Sequence, residues 1–128
     1  MILDNNIEGY YYLASPYSHK DNTFRIKRYE DALRAVKYFF DRKLVVYSPI
    51  VNTHPLAEMF DMPEGFEHYE KYDTVMLKNA VGVIVLESEG WIQSRGVQFE
   101  IDYAKNVLNI PVYYITMETI NKNENNIL

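Results

Sequence analysis

Asp73 and Glu100 are the two acidic residues whose sequence surroundings favour chemistry. Asp73 stands among apolar residues in FEHYEKYDTVMLKNA (66–80), and Glu100 stands in SEGWIQSRGVQFEIDYAKN (88–106). Two carboxylates that face one cavity are the usual groups for cleaving a bond at the anomeric carbon of a sugar. One attacks or stabilises that carbon while another group helps the leaving base depart. Each residue also has a plainer interpretation, as a solvent-exposed acid of its helix, and both interpretations stay open here.

The position of Glu100 on its helix places it at the edge of a buried surface. One face of the helix predicted for residues 95–108 is apolar, at Val97, Ile101, Ala104 and Leu108. Glu100 follows Val97 by three residues, which is about 60° round the helix at roughly 100° per residue. We place Glu100 in the opening turn, where the helix N-terminus favours the ionised carboxylate. An ionised carboxylate suits a nucleophile better than a general acid.

Ser94 and Gly96 form a candidate anion site at the start of the same helix. A serine hydroxyl beside free backbone N–H groups attracts an anion, and a glycine lets the ligand approach closely. Arg95 would add positive charge. The plainer interpretation is that Ser94 only caps the helix and that Arg95 is an exposed surface residue.

His54 and Trp91 are further candidates for substrate contact. His54 lies in SPIVNTHPLAEMF and would contact a base or donate a proton to it, unless it is only a surface histidine. Trp91 would stack on a base, or would anchor its loop against the domain or a neighbouring subunit. The histidines are too scattered to indicate a metal site. Because no glycine-rich dinucleotide motif or Walker loop is present either, we predict no cofactor.

The composition predicts a single domain without a nucleic-acid or membrane partner. The chain has 128 residues, of which 48% are hydrophobic, and a net charge of −5. Nucleic acids and anionic membranes favour a basic face, so the charge argues against both. The absence of cysteine excludes disulfides, thiolate metal sites and cysteine nucleophiles. We expect a cytoplasmic protein.

Strands and helices alternate along the chain. Continuous apolar runs predict buried strands at residues 10–15, 44–49, 81–87 and 110–116. Apolar periodicity predicts helices within residues 19–43, 66–80 and 95–108, the first of them capped by Asp21 or Asn22. Residues 50–65 are expected to be irregular because prolines and a glycine interrupt them. Residues 118–128 are expected to form a polar, flexible C-terminal tail.

This alternation predicts an α/β fold with a parallel sheet covered on both faces. The simplest arrangement is a single-domain flavodoxin-like, or Rossmann-like, three-layer sandwich with strand order 2-1-3-4. In such sheets, ligands bind beyond the carboxyl ends of the strands, at the switch point between strands one and three. The segments predicted to meet there are residues 15–18, 48–54 and 87–96.

The ordered segments YLASPYS, DTVMLKNAVGVIVL and SRGVQFEIDYA resemble the nucleoside 2-deoxyribosyltransferase superfamily over residues 10–115. The pattern GW..SRGV..E...A is similar to that of one small subfamily. The resemblance implies that residues 1–117 form a flavodoxin-like domain that cleaves N-glycosidic bonds of deoxynucleosides or their monophosphates. It implies that Glu100 is the nucleophile and that Asp73 assists at the base or holds the active-site network. Tyr17 would hydrogen-bond near Glu100 and orient it.

Ser94 favours the monophosphate hydrolases within this superfamily. Members that act on free nucleosides usually carry an Asp six residues before the Glu, whereas SRGVQFE matches the phosphate-holding arrangement Ser-x-Gly-x-x-x-Glu. An Asp would repel a phosphate that a hydroxyl and helix-start amides attract. One charge-assisted hydrogen bond contributes about 1.5–3 kcal/mol, or roughly 10–100-fold in affinity. The chain departs from these hydrolases after the first strand, where their Gly- and Arg-bearing loop is replaced by SPYSHKDN. In this chain, the phosphate contacts of that loop would be made by Ser15, Ser18, His19 or Lys20.

We therefore expect hydrolysis of the N-glycosidic bond of (deoxy)nucleoside 5′-monophosphates, which releases free base and (deoxy)ribose 5-phosphate. Glu100 would attack C1′, and water would open the resulting glycosyl ester. The alternatives are base exchange by a nucleoside 2-deoxyribosyltransferase, a nucleotide sensor without catalysis on the same fold, and a structural or interaction protein. The expected partner is a small nucleoside or nucleotide. A homo-oligomer is also expected, because members of the superfamily often complete their sites with a neighbouring subunit.

Overall fold

The computed structural model, which describes residues 3–63 and 65–124, contains one sheet of four parallel strands. In chain order the strands are β1 (Tyr11–Ala14), β2 (Val46–Tyr47), β3 (Gly82–Glu87) and β4 (Val112–Thr116). Their order in the sheet is β2-β1-β3-β4, which confirms the predicted flavodoxin-like α/β fold. Ala14 at the end of β1 pairs with Val85 near the end of β3. The carboxyl ends of these two central strands therefore lie side by side, where a ligand crevice is expected.

In the described part of the chain, five α-helices connect or follow the strands. They are α1 (Asn22–Asp41), α2 (Pro49–Met59), α3 (Glu70–Lys78), α4 (Arg95–Tyr103) and α5 (Met117–Glu124). A short 3₁₀ turn (Phe66–His68) precedes α3, and a π-helical turn (Ala104–Leu108) extends α4. Asp21 caps α1, since its carboxylate accepts a hydrogen bond from the Thr23 N–H at 2.9 Å. None of the helices described is long and apolar enough to cross a bilayer.

The prediction that residues 50–65 are irregular is wrong for the stretch that forms α2. The Ser48 hydroxyl caps α2 by accepting from the Val51 N–H at 3.1 Å, and Pro49 occupies the first turn, where a proline fits. Pro55 lies inside the helix, although a proline there removes a backbone hydrogen bond. Ile50 and His54 are buried on the inner side of α2. We attribute the helix to this tertiary packing, which outweighs the local cost of Pro55.

The prediction of a flexible tail is wrong for the residues that form α5. Ile120 on α5 is only 1% exposed and joins the same apolar cluster as Phe39 of α1 and Ile115 of β4. A single buried isoleucine among polar neighbours therefore docks the helix. Residues 125–128 of the predicted tail lie outside the described part of the chain.

Helices cover the two faces of the sheet in separate layers. On one face, Tyr12 and Val85 pack with Leu77 of α3 and Val97 of α4, and we call this the α3/α4 face. On the other, residues of the same strands pack with α1 and α5, and we call this the α1/α5 face. Successive strand residues alternate between these faces, as the pleat requires.

Candidate active site

A cleft with a volume of about 1090 Å³ lies at the carboxyl ends of the central strands. Its walls come from the loop after β1, from α1, α2 and α3, and from the loop that leads into α4. Most of the residues that the sequence predicts for the site line it, namely Ser15, Tyr17, Ser18, His19, Lys20, Asp73, Ser94, Arg95, Gly96 and Glu100. The predicted switch point and the observed cleft are thus the same place.

Glu100 reaches this cleft from a buried position. It is 5% exposed, and its carboxyl oxygen Oε2 accepts a hydrogen bond from the hydroxyl of Tyr12. Tyr12 lies on β1 and is itself fully buried on the α3/α4 face. The hydrogen bond to Glu100 that was predicted for Tyr17 is therefore made by Tyr12. The sequence offers three adjacent tyrosines, Tyr10, Tyr11 and Tyr12, and only the folded structure decides which of their hydroxyls reaches Glu100.

Burial raises the pKa of Glu100 to about 8. The hydrogen bond from Tyr12 favours the ionised carboxylate and lowers that pKa, while the nearby charge of Asp73 raises it. The expectation of an ionised Glu100 is therefore wrong for the protein alone at neutral pH. Because α4 begins at Arg95, Glu100 lies in the second turn, where the influence of the helix N-terminus has faded and desolvation dominates.

Asp73 is the second candidate acid, and it lines the same cleft as Glu100. Burial raises its pKa to about 6, and among the described residues its oxygen Oδ1 has no hydrogen-bond partner. Since Asp73 influences the pKa of Glu100, the two carboxyls share one environment. Ser15 likewise lines the cleft with a buried hydroxyl that lacks a partner in the described chain. Buried polar atoms without partners are uncommon, and in a cleft they are available to a ligand.

Tyr17 forms a different cluster on the α2 side of the cleft. Its hydroxyl oxygen lies 2.6 Å from Nδ1 of His54. His54 is only 5% exposed and stacks on the ring of Tyr29, with centroids 4.1 Å apart and planes inclined by 23°. Its other ring nitrogen, Nε2, lies 3.5 Å from a carboxylate oxygen of Glu58. His54 is therefore a buried helix residue, and not the surface loop histidine of the plainer interpretation.

The anion side of the cleft includes two arginines of α1 that sequence reasoning missed. Arg25 and Arg28 both line the cleft. Arg28 donates from Nη1 to the carbonyl of Ser18 at 2.8 Å. A side chain at Gly90 would collide with the Arg28 guanidinium, and Gly90 has a positive φ of 90°. In the sequence, the two arginines look like ordinary solvent-exposed residues of a helix. The one feature that could have indicated a ligand contact is their place near the start of the helix that follows β1.

Ser94 caps α4, since its hydroxyl oxygen accepts from the Val97 N–H at 3.2 Å. That hydroxyl still has its own proton to donate. Trp91, in the loop before Ser94, is partly buried against the α3/α4 core, and its ring lies 5.9 Å from that of Tyr114. These contacts favour the anchoring role over base stacking. Within residues 3–63 and 65–124, no three metal-binding side chains cluster together.

A model of the family described as "Domain of unknown function (DUF1937)" matches residues 9–117, a range that contains all four strands and every wall of the cleft. No curated protein matches the chain.

Proposed function

The chain belongs to the DUF1937 family, a domain of unknown function, and from the chemistry of its cleft we propose that it hydrolyses the N-glycosidic bond of (deoxy)nucleoside 5′-monophosphates. One observation carries the proposal. Glu100 is a buried carboxyl that opens into a cleft beside a second carboxyl, Asp73, and is held by the Tyr12 hydroxyl. Burying two acids together costs stability, and strongly perturbed carboxyls in a cleft are typical of catalytic sites.

The first half of the reaction breaks the bond to the base. The ionised Glu100 attacks C1′ of the sugar while the bond from C1′ to the base nitrogen breaks, and a glycosyl ester forms. Tyr12 donates to the carboxyl and holds it in one orientation. With a pKa of about 8, Glu100 is about one-tenth ionised at pH 7, but its carboxylate is more basic than an exposed one.

The second half regenerates the enzyme. Water attacks C1′ and displaces Glu100 as a carboxylate, while the proton lost by the water replaces the one that the departing base took up. (Deoxy)ribose 5-phosphate is released. Asp73 lies close enough to Glu100 to influence its pKa, so we assign it to the network that holds and tunes the nucleophile.

The phosphate would bind at the start of α4. The Ser94 hydroxyl and the backbone N–H groups that follow it can donate to phosphate oxygens, and Gly96 keeps the approach open. Arg25 and Arg28, together with Lys20 of the loop after β1, supply positive charge in place of the Arg-bearing loop of the superfamily's hydrolases. These cations support a phosphorylated substrate in preference to a free nucleoside.

The decisive experiment is chromatography of free base after incubation with a panel of deoxynucleosides and their 5′-monophosphates. We expect base release from at least one monophosphate, with little from the matching nucleoside. Adding a second free base in excess detects transfer in place of hydrolysis.

Two variants complete the test. Glu100→Gln should abolish release, whereas Glu89→Gln, an exposed acid of the same cleft, should leave it unchanged. Equal release by wild type and Glu100→Gln, or no release from any member of the panel, would contradict the proposal.

A further inference from the structure

We propose that Tyr17 is the proton donor to the departing base, and that His54 and Glu58 are positioning residues, with His54 supplying the proton of Tyr17 and Glu58 orienting the His54 ring. The inference rests on the proposed function and assigns a catalytic role to a second side chain that lines the cleft together with Glu100. It also gives Tyr17 a function in place of its predicted contact with Glu100, because Tyr12 hydrogen-bonds to Glu100 and Tyr17 lies against His54.

The three side chains form a continuous path from solvent to the cleft. Glu58 has a side chain that is 54% exposed, and one of its oxygens lies 3.5 Å from Nε2 of His54. The Nδ1 atom of His54 lies 2.6 Å from the Tyr17 hydroxyl, and both Tyr17 and Glu58 line the cleft. His54 and Glu58 are four residues apart on α2, so one helical turn sets their spacing.

The burial of His54 is difficult to explain by packing alone. An apolar side chain would fill the same space against Tyr29 without the cost of burying a polar ring. Both ring nitrogens instead face oxygen atoms, one of a phenol and one of a carboxylate. A carboxylate that orients an imidazole, which in turn exchanges a proton with a hydroxyl, is the arrangement of the serine hydrolase triad. Here the hydroxyl would act as an acid towards the base.

The proton transfers balance over the two halves of the reaction. When the C1′–N bond breaks, its electron pair goes to the base, and the base takes the proton of the Tyr17 hydroxyl. Tyr17 recovers a proton from Nδ1 of the His54 imidazolium, which becomes neutral with its remaining proton on Nε2, facing Glu58. When water attacks C1′, its proton returns through Tyr17 to His54 and Glu100 leaves as a carboxylate. The sum is nucleotide plus water giving free base plus (deoxy)ribose 5-phosphate.

The test compares two leaving groups. The natural base needs a proton to depart, whereas 4-nitrophenolate from a 4-nitrophenyl 2-deoxyriboside 5-phosphate departs without one. Tyr17→Phe should lower kcat by roughly 10²–10⁴-fold on the deoxynucleoside monophosphate that the panel identifies, and by less than about threefold on the nitrophenyl compound, with KM little changed on both.

Variants of the two positioning residues should show the same selectivity to a smaller degree. We expect roughly 10–100-fold for His54→Gln and several-fold for Glu58→Gln on the natural substrate only. Glu58 is exposed enough that its variant should fold even if the His54 variant does not. Tyr69→Phe is the matched control: it removes a cleft hydroxyl that donates to the Pro63 carbonyl, and it should leave kcat on both substrates within about threefold.

An equal loss on both leaving groups in Tyr17→Phe, or no loss on either, would overturn the relay. In that case Glu100→Gln still abolishes both reactions, and the proposed function survives. If Glu100→Gln changes neither reaction, or if the wild type cleaves neither compound, the proposed function fails and the relay fails with it.

Discussion

The two faces of the sheet bury side chains to different ends. On the α1/α5 face, Leu13, Ile84 and Leu86 are fully buried in a cluster of apolar neighbours. On the α3/α4 face, the same strands meet the buried carboxyl of Glu100 and the Tyr12 hydroxyl. Apolar burial stabilises the fold, while buried acids cost stability and acquire unusual protonation. Both faces therefore hold the molecule together through apolar packing, and the α3/α4 face carries the buried carboxyl of Glu100 in addition.

The largest expected effect is a contrast between two substitutions, one on each face: the first should lower activity and the second should lower stability. Glu100→Gln should lower kcat by roughly 10³-fold or more, because the nucleophile is lost, while the free energy of unfolding stays equal or rises. Leu86→Ala, on the opposite face, should cost about 2–5 kcal/mol in unfolding but leave kcat per folded molecule unchanged. Base-release kinetics and urea unfolding measure the two quantities. If Glu100→Gln lowered the free energy of unfolding as much as Leu86→Ala does, the predicted difference between the two faces would be wrong.

The pH dependence of stability should expose the cost of the buried acid. The folded-state pKa of Glu100 is about 8, against 4.5 for an ordinary glutamate, so the folded state holds a proton that the unfolded state releases. This contribution is fully present below about pH 4.5 and is lost as pH rises towards 8, by roughly 1.4 kcal/mol for each pH unit. Asp73 makes a smaller contribution of the same sign, which is lost as pH rises from its ordinary pKa of 3.8 to about 6.

The measurement is the free energy of unfolding of wild type minus that of Glu100→Gln, followed from pH 5 to pH 9. We expect this difference to fall with pH by several kcal/mol. Leu86→Ala serves as the control, because its difference from wild type should not vary with pH. A flat profile for Glu100→Gln would mean that the carboxyl is not held protonated.

A smaller effect should distinguish two neighbouring tyrosines on opposite faces. Tyr12→Phe removes the hydrogen bond to Glu100, which further raises the pKa of that carboxyl and should lower kcat by roughly 10–100-fold at pH 7. Tyr11→Phe removes a hydroxyl that accepts from the Asp4 N–H at 3.1 Å, and kcat should change by less than about threefold. The steady-state rates of the two variants, measured side by side, give the comparison. Similar losses in both would indicate that the faces are not functionally separate.

Much of the fold could be read from local patterns. Continuous apolar runs and helical periodicity predicted the four strands and their order, and the caps at Asp21 and Ser94 follow from residue type alone. The two helices that were missed show where local patterns fail. Pro55 and the polar neighbours of Ile120 disfavour a helix on local grounds. In the fold, each helix buries residues against parts of the chain that are distant in sequence, and this packing outweighs the local preference.

Some features of the site can likewise be predicted from local sequence, and others depend on the fold. Residue type and strand order are enough to select the candidate acids and to predict the end of the sheet at which they lie. Folding alone brings Tyr12 to Glu100, raises the pKa of Glu100 by burial, and places His54 against Tyr17. Tyr12 and Glu100 are 88 residues apart, and desolvation depends on what surrounds a group in space. Local patterns record the neighbours of a residue along the chain, whereas reactivity is set by neighbours that only folding brings together.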